Sequence, residues 1–243
     1  MAQGEPTAEA CVAEIVEIYG NASTFPCRVV TEAGAQWVMK LRGSGPGAMS
    51  LMTEYLALHV AREMGLAVPE CRPLYLPPGF PWTIGTDEFD GIVQRSYGWN
   101  LGIAYMADSA PASAADVREG DPAFLACLMD VDRALFNTDR SERNPNILRM
   151  ADKRLVAIDF DACLFLRRAV RESIPAAFDM PPGHLLGDLD PPRDSYHIGW
   201  EALPAAMEGL PDPWFEVLNL SREQVERGLR AYIAAWNAWT ERP

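Results

Sequence analysis

Three groups of polar residues interrupt apolar stretches of the chain, and together they fit one chemistry. The densest is Asn137-Thr138-Asp139-Arg140-Ser141-Glu142-Arg143-Asn144-Pro145-Asn146-Ile147-Leu148, where Asn144 follows Asp139 at the fifth position. The second is Ile158-Asp159-Phe160-Asp161, at the end of a short apolar run. The third is Lys40, within Trp37-Val38-Met39-Lys40-Leu41, with Glu54 downstream. Phosphoryl transfer asks for little covalent chemistry from a protein. It needs a cation over the phosphates, a carboxylate beside the nucleophile, and oxygen ligands for magnesium. Asp139 suits the carboxylate that accepts a hydroxyl proton. Asn144 and Asp159 suit the metal, with Asp161 an alternative or second ligand beside Asp159.

Lys40 and Glu54 are each out of place alone. On a strand, Lys40 shares a face with Val38 while Trp37, Met39 and Leu41 take the other. A lysine there is costly unless it meets an anion or reaches solvent. Glu54 falls on the Leu51–Tyr55–Leu58 side of a helix, an apolar position. Pairing the two removes both anomalies and aims the lysine as phosphoryl-transfer enzymes require.

The elements that must hold these residues follow from periodicity and turn chemistry. Strands are expected at Val12 to Tyr19, Arg28 to Thr31 and Trp37 to Leu41. The small and polar run Gly20-Asn21-Ala22-Ser23-Thr24 joins the first two, and Glu32-Ala33-Gly34-Ala35 joins the second and third. Gly43 to Gly47 breaks the pattern, and a helix over 48–66 ends at Gly65 and Pro69. Leu76 to Trp82 reads as a loop, Gly91 to Gln94 as a strand, and Ser96 to Asn100 as a connector. Ala110 to Asp121 reads as a loop or weak helix, and Pro122 to Leu135 as an amphipathic helix. Ile147 to Met150 and Leu155 to Ile158 form a hairpin. No strand is expected beyond Phe165, and the last helix runs from Arg222 to Trp239. This order predicts an α+β, bilobal protein kinase-like fold. Residues 1–95 form an antiparallel β-sheet N-lobe with one helix, and residues 96–243 a mostly helical C-lobe with a small β-hairpin, the catalytic loop and the metal-binding segment.

The motifs Val38-Met39-Lys40-Leu41-Arg42, Glu54-Tyr55-Leu56-Ala57, Leu66-Ala67-Val68-Pro69-Glu70, Asn137-Thr138-Asp139-Arg140, Asn144-Pro145-Asn146 and Ile158-Asp159 resemble the HipA-like kinases, particularly their compact single-domain bacterial members. The resemblance spans about residues 12 to 165. It implies ATP as donor, Mg2+ as cofactor, and transfer to a hydroxyl acceptor, with serine/threonine transfer the family's chemistry. Asn137-Thr138 stand where ordinary protein kinases carry a histidine, as in HipA-like proteins, and Asp161 replaces the glycine of Asp-Phe-Gly. The backbone of Gly20, Asn21, Ser23 and Thr24 is the candidate phosphate loop, with Val38 and Lys40 on the nucleotide, and Ser23 and Thr24 are the first hydroxyls to test for autophosphorylation. Antibiotic-phosphotransferase-like kinases place the magnesium asparagine directly before an Ile-Leu pair, which would favour Asn146; the five-residue spacing keeps Asn144 as the expected ligand. Two other readings stay open: a small-molecule kinase of the aminoglycoside or choline type, and a catalytically weak nucleotide-binding protein acting through partners.

Composition bounds the rest. The 243 residues are 49% hydrophobic and 9% aromatic, enough for a core and too apolar for disorder. A formal net charge of −13 disfavours phosphate backbones, so no direct nucleic-acid partner is expected. The five cysteines are scattered, fitting neither a disulfide framework nor a zinc site. No apolar run approaches a membrane span, and the N-terminus lacks a signal peptide's segments, so a cytoplasmic protein is expected.

Overall fold

The computed structural model describes residues 5–20, 24–82, 85–189, 197–201 and 203–241. In chain order the elements begin β1 (Val12–Ile18), β2 (Cys27–Thr31), β3 (Gln36–Lys40), α1 (Ala48–Glu63), β4 (Cys71–Leu76), α2 (Asp87–Arg95) and β5 (Gly98–Ala104). They continue as β6 (Ser109–Pro111), α3 (Ala114–Arg118), α4 (Pro122–Leu135), β7 (Ile147–Met150), β8 (Leu155–Ala157), α5 (Phe165–Arg171), α6 (Leu203–Gly209), α7 (Asp212–Leu218) and α8 (Arg222–Thr240). Two compact units result. One comprises residues 1–55, 70–105 and 209–220, the other 56–69, 106–208 and 221–243.

The first unit is built on an antiparallel five-stranded sheet in the order β1-β2-β3-β5-β4. Side chains alternate across a pleated strand, so Cys27 and Val29 of β2 and Trp37 and Met39 of β3 enter one core, with Leu74, Leu76, Phe89, Ile92 and Val93. Strands β4 and β5 occupy the stretch read partly as loop and connector. Pro73 lies in β4, at the end of the sheet order, where a missing N–H is tolerated. Gly102 of β5 is needed for close approach: a Cβ there would stand 2.5 Å from Leu74 Cδ1.

The expected strand at Gly91 to Gln94 is a helix, α2. Its Ile-Val-Gln run favours a strand locally, but the flanking residues prevail. The Thr86 side chain caps the start by accepting from the Phe89 N–H at 3.3 Å. Asp87, Glu88 and Asp90 sit in the first turn and Arg95 in the last, matching the helix dipole. Phe89, Ile92 and Val93, spaced by three and four, then bury one face. Helix α7 joins this unit from far along the chain: Trp214 is fully buried and its Nε1 donates to Trp99 O at 3.0 Å. Burying a large apolar side chain of this kind stabilises by about 1.5–3 kcal/mol.

The second unit holds the three-stranded sheet β6-β7-β8 and helices α3, α4, α5 and α8. Helix α4 starts cleanly because Asp121 caps it and Pro122 occupies the first turn. It stops where Phe136 turns left-handed, at φ 52°. Helix α8 opens with a Ser221–Gln224 capping box and buries Val225, Leu229, Tyr232, Ile233 and Trp236. Gly228 lets α8 press on α5, since a Cβ there would lie 2.4 Å from Ala169 O. The Tyr232 hydroxyl donates to Ala134 O at 2.8 Å, tying α8 to the helix that leads into the Asp139 loop.

Candidate active site

In the first unit Lys40 stands at the end of β3, on the half-buried face it shares with Val38. Its Nζ lies 2.6 Å from Glu54 Oε2, with side chains 12% and 1% exposed respectively. The expected ion pair therefore forms between a strand end and the first half of α1. The chain just beyond Lys40 is pinned by buried polar groups. Arg42 N–H donates to Asn100 Oδ1 at 2.8 Å, and Gly43 N–H donates to Ser96 Oγ at 2.8 Å. Asn100 Nδ2 donates in turn to Ser96 O at 2.8 Å and Gly98 O at 2.9 Å. Asn100 and Ser96 are both fully buried, and satisfied groups of this kind specify a local geometry. Gly20 sits in an exposed turn and Thr24 is half-buried nearby in sequence; Asn21 and Ser23 lie outside the described residues.

In the second unit the loop after α4 is organised around Asp139. Asn144 Nδ2 donates to Asp139 Oδ2 at 2.7 Å, and Asn146 Nδ2 donates to the same oxygen at 3.2 Å. The two candidate asparagines thus flank one carboxylate, which keeps it oriented. Asn144 is exposed and sits in a turn closed by reciprocal backbone bonds with Ser141. Asn146 is half-buried, with φ 51°, and its carbonyl accepts from Ile158 N–H at 2.9 Å. That bond continues the β7–β8 pairing by one step and sets the backbone of Asn146 beside that of Ile158, the residue before Asp159.

Asp159 follows β8 with φ 61°, a left-handed conformation that Asp and Asn tolerate better than most residues. Carboxylate oxygens of Asp159 and Asp161 lie within 4.8 Å of one another. Two carboxylates at that separation repel unless a cation lies between them. Hard oxygen donors of this type match magnesium rather than a soft metal, so these residues fit the ion that phosphoryl transfer uses.

The loop rests on Asp132, which sequence reasoning did not single out, together with Asn137 and Arg140 of the motif. Asp132 of α4 is fully buried, with Oδ1 accepting from Asn137 Nδ2 at 2.9 Å and Oδ2 accepting from Arg140 Nε. Asn137 Oδ1 accepts from the Asp139 N–H at 3.2 Å. Arg140 Nη1 donates to the carbonyls of Pro145 at 2.8 Å and Asn146 at 2.7 Å, and its guanidinium lies 5.1 Å from the Phe160 ring centroid. Burial alone would raise the Asp132 carboxyl, but Arg140 and a hydrogen bond from His184 hold it below the usual carboxylate range. Removing one partner of such a buried pair costs about 3–5 kcal/mol. A signal was present: Asp132 is spaced with Leu128 and Leu135 on the apolar face of α4, an unusual place for a carboxylate.

A loop carrying a carboxylate and two asparagines, a hairpin, and a strand-end carboxylate define the class of a kinase-like protein. The chain matches the HipA-like kinase family over residues 12–174 and belongs to that family. It is similar in structure to the Helicobacter pylori proinflammatory kinase CtkA, with TM-score 0.53 and 13% identity, over 97% of this chain and 98% of that one. That likeness establishes a shared kinase fold. A second solved structure, the MAP kinase LmaMPK10 from Leishmania major, aligns with TM-score 0.27 and 8% identity over 95% of this chain and 82% of that one. No curated protein matches.

Proposed function

We propose that this chain is an ATP- and Mg2+-dependent phosphotransferase that moves the γ-phosphoryl group to a hydroxyl acceptor. The observation that supports it most directly is the Asp139 carboxylate held by Asn144 and Asn146, with Asp159 and Asp161 at the end of the adjoining hairpin. Asp139 is the group that accepts the acceptor's hydroxyl proton and aims its oxygen. Asp159 is the principal metal ligand, with one asparagine amide oxygen. The hydrogen bond between Asn146 O and Ile158 N–H favours Asn146 for that role over Asn144. Lys40, held extended by Glu54, supplies positive charge to the donor's α- and β-phosphates. Val38, Gly20, Asn21, Ser23 and Thr24 are assigned to the nucleotide. When bound, magnesium neutralises the phosphate oxygens and offsets charge that builds on the leaving group.

The acceptor proposed is a serine or threonine hydroxyl of a protein, following the family's chemistry. The test is ADP release and labelled-phosphate incorporation from MgATP, using wild type and Asp139→Asn. The variant keeps the shape of the loop but cannot accept the proton. It is expected to lose about 10²–10⁴-fold in turnover, the usual worth of a general base, while its MgATP affinity stays within a few-fold. Equal turnover by Asp139→Asn would remove the assignment.

A further inference from the structure

The catalytic loop is gripped from behind by a segment that lies beyond residue 174, where the family match ends. Phe178 anchors that segment: it is 1% exposed and stands edge-on to Tyr232 at 5.4 Å and Trp236 at 5.3 Å on α8. The chain then reaches the loop. Leu185 N–H donates to Arg140 O at 3.0 Å, and Leu185 and Leu186 are fully buried. Between them and Phe178 stands His184, whose side chain is wholly buried. Its Nδ1 accepts from the Leu186 N–H at 3.1 Å, which places the ring proton on Nε2. Nε2 then donates to Asp132 Oδ2 at 2.9 Å.

We propose that His184 is the positioning residue of the catalytic loop, acting through Asp132 on Asn137 and Arg140 and hence on Asp139. The chain of contacts is continuous. His184 orients the Asp132 carboxylate, and its two oxygens fix Asn137 and Arg140. Asn137 holds the Asp139 amide, and Arg140 holds the carbonyls of Pro145 and Asn146 on the far side of the loop. A hydrogen-bonded second layer of this kind sets the orientation of a catalytic group without touching substrate. Small misplacements of reacting groups are costly in rate, so the effect belongs on turnover rather than on nucleotide affinity. The role is supplied by a residue more than forty positions along the chain from Asp139 (about 45 by sequence number), and it rests on the reading of Asp139 as the catalytic carboxylate.

The experiment compares His184→Leu, His184→Asn and His184→Gln with wild type, measuring ADP release at saturating MgATP, the KM for ATP, and the MgATP-induced shift in melting temperature. Leu fills the space without a donor. Gln places its amide nitrogen where Nε2 stood, whereas Asn carries its own nearer the Nδ1 position and falls short of Asp132. The expected result is a kcat roughly 10–100-fold lower for Leu and Asn, with KM for ATP and the melting shift nearly unchanged, as loss of orientation predicts. Gln should recover to within about fivefold of wild type, since it restores the donor. Should Leu not fold, the Asn–Gln comparison decides alone. Equal kcat for Asn and Gln, or a Leu variant as fast as wild type, overturns the proposal. Wild type showing neither turnover nor a melting shift would instead sink the kinase reading beneath it.

Discussion

At the scale of single residues, the site is a set of charges and amides whose geometry decides their roles. Asn144 and Asn146 both donate to Asp139 Oδ2, so spacing alone cannot separate them. Their backbones can. Asn144 closes an exposed turn, while Asn146 is tied to Ile158 and so to the residue preceding Asp159. If Asn146 is the metal ligand, Asn146→Ala will raise the Mg2+ concentration needed for half-maximal ADP release by about 10-fold or more, the loss expected when a ligand or its support is removed. Asn144→Ala will leave that concentration within about twofold and lower kcat instead, because it frees the Asp139 carboxylate to turn. A magnesium titration of the two variants settles which pattern holds; the reverse pattern returns the role to Asn144. The main contributors here were legible in sequence because each is anomalous where it stands: a lysine in an apolar strand, a glutamate on an apolar helix face. Asp132 was anomalous in the same way, inside a helix that otherwise reads as ordinary core. His184 was not, because its only distinction is a partner fifty-two residues away.

At the scale of elements, what the sequence discloses depends on how local its causes are. β1 to β3, α1, α4, the β7–β8 hairpin and α8 follow from period and flanking turns within a few residues. β4 and β5 do not, because Pro73, Gly98 and Gly102 disguise them, and it is pairing with each other, and of β5 with β3, that makes them strands. α2 turned on its Thr86 cap and charge pattern against a short β-favouring run. Helix α1 also contains a titrating residue. Burial, with Arg62 one turn on, lowers the half-buried His59 to about 4 from an ordinary 6.5. The folded state therefore holds His59 neutral where the unfolded chain takes up a proton, so stability is present above pH 6.5 and is lost as pH falls towards 4. After allowance for solvent at the partly exposed ring, the loss is about 1–2 kcal/mol. His59→Gln should flatten the dependence of the urea midpoint on pH between about 6.5 and 4. A slope unchanged by that variant would place the pH sensitivity in a group other than His59 and other than Asp132, whose stabilisation is lost only below the ordinary carboxylate range.

At the scale of the whole molecule, the two units draw on scattered parts of the chain. Residues 209–220 belong with the first, and residues 56–69 with the second. Trp214 reaches Trp99 across 115 positions, a contact no local pattern foretells. Among the described residues no helix is long and apolar enough to cross a membrane. The charge of −13 is the one global property plain from composition, and it sharpens the expectation for nucleotide binding. A strongly acidic protein repels free ATP, so under the proposed function the affinity is expected to come from Lys40 and from magnesium carried with the phosphates. MgATP should therefore raise the melting temperature where ATP with a chelator does not. At ligand near 100 times its dissociation constant, binding adds about 2.7 kcal/mol. For a chain of this length that corresponds to a rise of roughly 5–11 °C, at about 2–4 °C per kcal/mol. Lys40→Met should remove most of the rise, and Asp139→Asn should keep it. A shift of equal size with ATP and chelator would mean that the nucleotide binds without metal, and Asp159 would lose its assigned role. No shift at millimolar MgATP would mean that the family's fold is retained here without its nucleotide chemistry, leaving a protein that works through partners.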